Sequence, residues 1–322
     1  MLPHFKGRDL ISPGTTLPLM SASRFCFITS MIAIAISLAL FGLVGLNYGV
    51  DFKGGTMVEL RAKTGKADIA DIRAKVSNLG LGDVQIQAFG KDTDVLIRVE
   101  QQSGGEKPQQ VALAKVLAAV GDNYERRRVE VVGPAVSSEL RTTGLIAVLC
   151  SIIAIILYVW FRFEWQFAVG AVVALSHDVL VTVGIFSLFQ LEFDLSTVAA
   201  LLTILGYSVN DTVVVSDRIR ENLRKFKRMS LFELLDRSLN ETLSRTLMTS
   251  LTTLVVLAAL FLLGGTVIRN FTFAMMFGVV VGTYSSVFIV APLLLRLGVK
   301  RDWSGVTKGA PPAAGTSVAG RG

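Results

Sequence analysis

The sequence predicts a polytopic α-helical membrane protein with six transmembrane helices and an extracytoplasmic α+β domain between helices 1 and 2. Three observations carry this. The 322 residues are 52% hydrophobic and 18% charged, with a mean hydropathy of +0.57, against roughly 25% charged residues in soluble domains. The apolar residues gather in long blocks, each near the ~20 residues that a spanning helix needs. One long polar stretch with strand-like and helix-like periods follows the first block.

The blocks are Phe25–Leu46, Thr142–Phe161, Gln166–Leu191, Leu195–Ser216, Thr246–Ile268 and Asn270–Leu295. The first, second, fifth and sixth carry no charge. The first twenty residues contain Pro3, Pro13 and Pro18 and no apolar core, so the first block reads as a retained span rather than a cleaved leader. Direction follows from the short loops. Residues 217–245 hold eight Lys and Arg and read as cytoplasmic, whereas Glu192–Asp194 has none and reads as external. Both termini then lie inside: a cytoplasmic N-terminus at 1–24, spans at 25–46 and within 142–297, and a disordered Gly, Ala and Pro-rich tail at 298–322. Leu223, Phe226, Phe232, Leu235 and Leu239 give the 217–245 loop an amphipathic spacing, expected to lie along anionic lipid. The net charge of +7 arises largely in loops that flank spans, which needs no nucleic-acid partner.

Residues 47–141 form the outer domain. Thr56–Ala62, Val84–Ala88 and Asp94–Val99 alternate as strands do, and Arg127–Val132 is a last strand. Ala67–Leu79 and Pro108–Val120 have helical spacing. Gly90-Lys91-Asp92-Thr93 reads as a hairpin turn, and Arg126–Arg128 as a solvated strand edge. The order β-α-β-β-α-β is the ferredoxin-like pattern, which hosts many functions and implies none. No nucleophile–base pair, phosphate loop or metal spacing is visible, so neither an enzyme nor a cofactor is expected. Cys26 and Cys150 lie at different depths in separate spans and are not expected to pair.

Ionisable groups inside spans are the most informative residues, because an Asp at a helix centre costs about 2.5–3.5 kcal/mol on insertion scales. Asp211 shares a face with Thr203, Gly206, Tyr207 and Asn210 at spacings of three and four, a face expected to point into the bundle. Arg245 begins the next span at the same depth, followed by Thr249, Thr252 and Thr253. The depth permits an Asp211–Arg245 pair, read either as a proton site or as a permanent structural ion pair. Asp178, with Thr182 one turn on, is either a second relay group or a hydrogen-bonded anchor, and His177 and Asn210 carry the same two readings. His177, adjacent in sequence, is expected to face elsewhere. Gly278 and Gly282 form a GxxxG spacing that suggests close helix packing.

Several blocks together resemble the SecF family of protein translocase subunits, within the resistance-nodulation-division (RND) superfamily. They are Gly49-Val50-Asp51-Phe52-Lys53-Gly54-Gly55, Val132-Gly133-Pro134, Phe161–Trp165, His177-Asp178-Val179, Gly206–Val214, Asp217–Asn222, Leu243–Thr246 and Gly282–Ser286. The resemblance covers about residues 24–297. Ser137 and Ser216 depart from the Gly and Phe frequent in the family. The resemblance implies half of a twelve-helix RND-type unit, completed by a SecD partner, that promotes late preprotein export through SecYEG with the proton-motive force. It implies an inner-membrane location, unfolded preprotein at the outer surface, and YajC and YidC as further partners. It places the proton-transfer roles on Asp211 and Arg245. An RND-type small-molecule antiporter and a non-transporting scaffold are the competing readings; an outer domain of 95 residues is small for the former.

Overall fold

The computed structural model describes residues 16–265 and 267–299. His4, most of the expected N-terminal segment and nearly all of the expected disordered tail lie outside these residues. Among the described residues, six helices are long and apolar enough to cross a membrane, counting the last as one span: α1 (Leu19–Leu43), α5 (Pro134–Arg162), α6 (Trp165–Phe189), α7 (Leu195–Lys225), α8 (Leu231–Leu263), and the run Arg269–Leu297. That run comprises α9 (Arg269–Ser285), a π-turn at Ser286–Val290 and α10 (Ala291–Leu297).

The helix ends differ from the periodicity in instructive ways. Helix α1 starts at Leu19, before Phe25, because α8 supplies its caps. Asp236 Oδ1 accepts from Met20 N (2.8 Å) and Asn240 Oδ1 from Leu17 N (2.7 Å), satisfying amides that no local side chain caps. Helix α5 starts at Pro134, which suits the first helical position, and so reaches past the apolar block. The expected loop at 217–245 is almost absent. Helix α7 runs to Lys225, and α8 begins behind Ser230, whose hydroxyl accepts from Glu233 N while Glu233 reaches back to Ser230 N. Leu223, Leu235 and Leu239 are buried in one apolar cluster with residues of α1, α6 and the π-turn rather than laid on a lipid surface. Phe232 is exposed.

The outer domain holds β2 (Gly55–Ala62), α3 (Ile69–Val76), β3 (Val84–Phe89), β4 (Lys91–Val99), α4 (Glu106–Val120) and β5 (Tyr124–Val132). The antiparallel sheet has the order β3-β4-β2-β5, the ferredoxin-like arrangement. The β3–β4 turn is tighter than the four residues expected: Phe89 pairs with Lys91 around Gly90 alone, whose φ of 77° is easy only for glycine. Alternate strand residues Val58, Leu60, Val95, Ile97 and Val99 pack on Ile72, Val76, Ala112 and Val116 of the two helices. At about 1.5–3 kcal/mol for each fully buried aliphatic side chain, this core holds the domain together. β5 is an edge strand with Arg126 and Arg127 exposed.

In the bundle, α7 touches α5, α6, α8 and α9 and is the central helix. Half of its membrane window is buried, against 11% for α1 and for α5, whose apolar faces are open to lipid. Gly278 and Gly282 of α9 lie against α7. A Cβ at Gly278 would run into Ile204, and one at Gly282 would stand 3.0 Å from Ser208 Cβ. The small-residue spacing therefore serves contact inside this chain.

Candidate functional site

Two polar centres sit on α7. The first is built on Asp178 of α6, which is fully buried. Its Oδ2 accepts hydrogen bonds from Ser208 Oγ of α7 (2.5 Å) and Ser285 Oγ of α9 (2.9 Å). His177 Nδ1 lies 3.0 Å from Asp178 Oδ1, so the two neighbours in sequence meet, contrary to the expectation that His177 faces elsewhere. The side chains fold back on one another because both ends of the pair are enclosed. The His177 ring lies beside Tyr284 at 6.1 Å, and Tyr284 donates to Cys26 O of α1 at 2.7 Å. Thr182 does not touch the carboxylate; its hydroxyl donates to the Asp178 carbonyl at 2.7 Å. Asp178 thus joins α6, α7 and α9, and the network extends to α1. Two serine hydroxyls and the His177 ring nitrogen gathered on the carboxyl group meet the hydrogen-bonding need that its burial creates.

The second centre is Asp211, buried on the side of α7 that meets α8. Tyr207, one turn before it, donates to Ser250 Oγ of α8 (3.3 Å), and Ser250 lies 2.6 Å from Thr283 Oγ1 of α9. One turn along in the antiparallel helix, Thr246 is buried at the level of Asp211. Asp211 Oδ2 and Thr246 Oγ1 both lack a hydrogen-bond partner among the described residues, as do Thr212 Oγ1 and Ser216 Oγ farther along α7. Arg245 and Asp211 do not form an ion pair: no Arg245 nitrogen comes within 4.0 Å of the carboxylate. Arg245 is exposed and acts on Asp211 only through space. The hydroxyls of Thr249, Thr252 and Thr253 donate to carbonyls of their own helix at 2.9 Å each, which leaves them acceptors and not a free donor chain.

The face that Asp211 was expected to share is also turned. Thr203, Gly206 and Asn210 are exposed, and a Cβ at Gly206 would meet nothing within 4 Å. Together with Arg245 and Thr252 they form a polar, small-residue strip on the open side of α7 and α8. The buried face of α7 is instead Leu201, Ile204, Leu205, Ser208, Thr212 and Val215. The partners Ser208 and Ser285 of Asp178 are the functional-looking residues that spacing alone did not link. Ser208 has a signal in the hydroxyl repeat Ser208, Thr212, Ser216 at intervals of four, which marks one helix face; Ser285 has none in that repeat.

No group of three or more His, Cys, Asp or Glu that could hold a metal occurs among the described residues. Residues 112–300 match the family described as Protein export membrane protein SecD/SecF, C-terminal, and residues 39–66 match the SecD/SecF GG Motif. The chain is 47% identical over 296 residues to protein translocase subunit SecF of Cereibacter sphaeroides, covering 89% of this chain and 91% of that protein. It is 43% identical over 296 residues to the corresponding subunit of Vibrio alginolyticus, covering 91% and 94%. It also resembles the crystal structure of SecDF, a translocon-associated membrane protein, from Thermus thermophilus. There the TM-score is 0.80 at 38% identity, over 90% of this chain and 40% of that one. The chain spans 38% of protein translocase subunit SecDF of Brucella abortus. Six spans, a ferredoxin-like domain inserted after the first and these matches lead to one conclusion: the chain belongs to the SecF family of protein translocase subunits.

Proposed function

We propose that this chain is the SecF half of a proton-driven SecDF-type unit in the inner membrane, and that it promotes a late step of preprotein export through a SecYEG channel. The observation that carries this is the open polar strip of α7 and α8 with a buried, unpartnered Asp211 carboxylate beside it. In lipid, Asn210 and Arg245 would face hydrocarbon at a cost. A second helical half covering this strip removes that cost and encloses Asp211 between two subunits. SecDF relatives that hold both halves in one chain favour a SecD partner for that place. YajC, YidC and the preprotein are partners by the same family argument.

Asp211 is the proton-carrying group in this reading. An ionisable residue within a span and without a fixed ion-pair partner is a group with a job rather than a strut. Arg245 sets the field around it from the inner end of α8 without neutralising it by contact. A proton taken by Asp211 changes the attraction between α7 and α8, and the difference between the two protonation states drives the shift. Both termini lie on the cytoplasmic side, with the outer domain opposite.

The test is preprotein translocation into reconstituted vesicles containing the SecD partner, with and without a proton gradient. Wild type is compared with Asp211→Asn and Arg245→Met at equal complex assembly. The expected outcome is that both variants lose the gradient-dependent increment and keep the gradient-independent rate. Persistence of the increment in Asp211→Asn removes the proton role and leaves a scaffold.

A further inference from the structure

The connection between α6 and α7 is five residues long, Gln190–Asp194, and it is held from several sides. A short strand β1 (Asn47–Tyr48), between α1 and the outer domain, pairs in parallel with β6 (Glu192–Phe193). Gly49 N donates to Phe193 O at 2.9 Å, and Asn270 Nδ2 of α9 donates to Glu192 O at 3.2 Å. Asp51, in the one-turn helix α2 (Val50–Lys53), accepts from Leu195 N at 2.9 Å. Asp194 Oδ1 accepts from Thr197 N at 2.8 Å and caps α7. Tyr48, Phe52, Phe186 and Phe193 pack edge-on or tilted around the connection, with ring centroids 6.0–6.2 Å apart.

The outer sheet packs on α2 through Met57, Phe89 and Leu96 against Val50, and it reaches the connection with a charged side chain. Arg98 of β4 forms an ion pair with Glu192, their side chains 14% and 18% exposed. Burial pushes the Glu192 carboxyl above its ordinary range, against the pull of Arg98; the carboxylates of Asp194 and Glu130 push the same way as burial. Arg98 Nε is buried and has no hydrogen-bond partner among the described residues. Such a pair is withdrawn from water, so losing one member strands the other charge. Gly49 allows the approach: a Cβ there would stand 3.0 Å from Glu192 Oε1 and 3.2 Å from Asp194 Cβ.

We infer that the Arg98–Glu192 pair, backed by Asp51 on the first amide of α7, is the joint through which the outer domain and Asp211 move together. Helix α7 is continuous from Leu195 past Asp211, a distance of about 24 Å at 1.5 Å per residue. A rigid helix held at its outer end by the sheet carries a displacement at Asp211 to that sheet. Arg98 and Glu192 are therefore positioning residues for the export step. This rests on the reading of Asp211 given above.

The experiment places Arg98→Cys and Glu192→Cys in a chain lacking Cys26 and Cys150, reconstituted with its partner. The unbridged double-cysteine protein should assemble normally and lose the gradient-dependent increment. Bridging the two thiols with a short bifunctional methanethiosulfonate should restore it, which a merely structural defect would not allow. Retention of the increment without the bridge overturns the inference, and so does loss that bridging fails to repair. Asp211→Asn run alongside separates the two claims, since only an increment that this variant abolishes is proton-linked through Asp211. Independently of proton coupling, spin labels at Lys75→Cys and Val267→Cys should give a narrow distance distribution that broadens in Glu192→Gln with Arg98→Met. An unchanged distribution overturns the joint whatever the export assay shows.

Discussion

At the residue scale, Asp178 and Asp211 separate by what surrounds them. Both are acids within spans, but Asp178 has Ser208, Ser285 and His177 on its carboxylate, whereas one oxygen of Asp211 has no donor. The first joins three helices through these contacts, and the test below separates an anchor from a relay. Asp178→Asn keeps the shape but places an amide among hydroxyl donors. Hydrogen bonds to a charged group contribute about 1.5–3 kcal/mol each, so the expected result is a lower thermal midpoint in detergent, with the gradient-dependent increment scaled only by the amount of folded protein. A variant that melts like wild type yet loses the increment would move Asp178 from anchor to relay.

At the element scale, the outer domain is held by its apolar core and by a half-buried ion pair on the other face of the sheet. Arg61 grips Asp94 with two hydrogen bonds of 2.7 and 2.8 Å, and Thr93 adds a third of 2.9 Å. Arg61 holds the Asp94 carboxyl below the usual carboxylate range. The sign follows: a lowered folded value stabilises above the unfolded pKa of about 3.9, and that stabilisation is lost as pH falls through the folded value. Amide exchange of β4 in the full chain, normalised to an unstructured peptide at each pH, should show protection falling in that acid window. Asp94→Asn should have lower protection at neutral pH and no such step. Identical profiles for the two proteins would show that the pair contributes nothing.

At the scale of the whole molecule, the open strip on α7 and α8 is unlike the apolar faces of α1 and α5. Lipid satisfies an exposed Phe25 or Leu149; it does not satisfy Asn210 or Arg245. Gly206 sits at the centre of the strip with open space before it. Gly206→Leu should therefore leave the thermal midpoint of the isolated chain unchanged or slightly raised, since Gly costs a helix about 1 kcal/mol relative to Ala. The same change should sharply reduce co-purification of the SecD partner. Full recovery of the partner with Gly206→Leu would place the interface elsewhere.

Local pattern determined much of this protein: the number of spans, the β-α-β-β-α-β order, and the positions of Asp178, Asp211 and Arg245 along their helices. These follow from hydropathy and from periods of two and 3.6, which depend only on neighbouring residues. The tertiary structure alone decided the rest. It capped α1 with Asp236 and Asn240, buried Leu235 and Leu239 in the bundle, and turned Thr203, Gly206 and Asn210 outward. It brought Ser208 and Ser285 onto Asp178 and kept Arg245 off Asp211. It also set Arg98 against Glu192, ninety-four positions away. A helical period says which residues share a face but not which face meets a neighbour. That choice is made by packing, by where buried polar atoms find donors, and by which glycines let two backbones close.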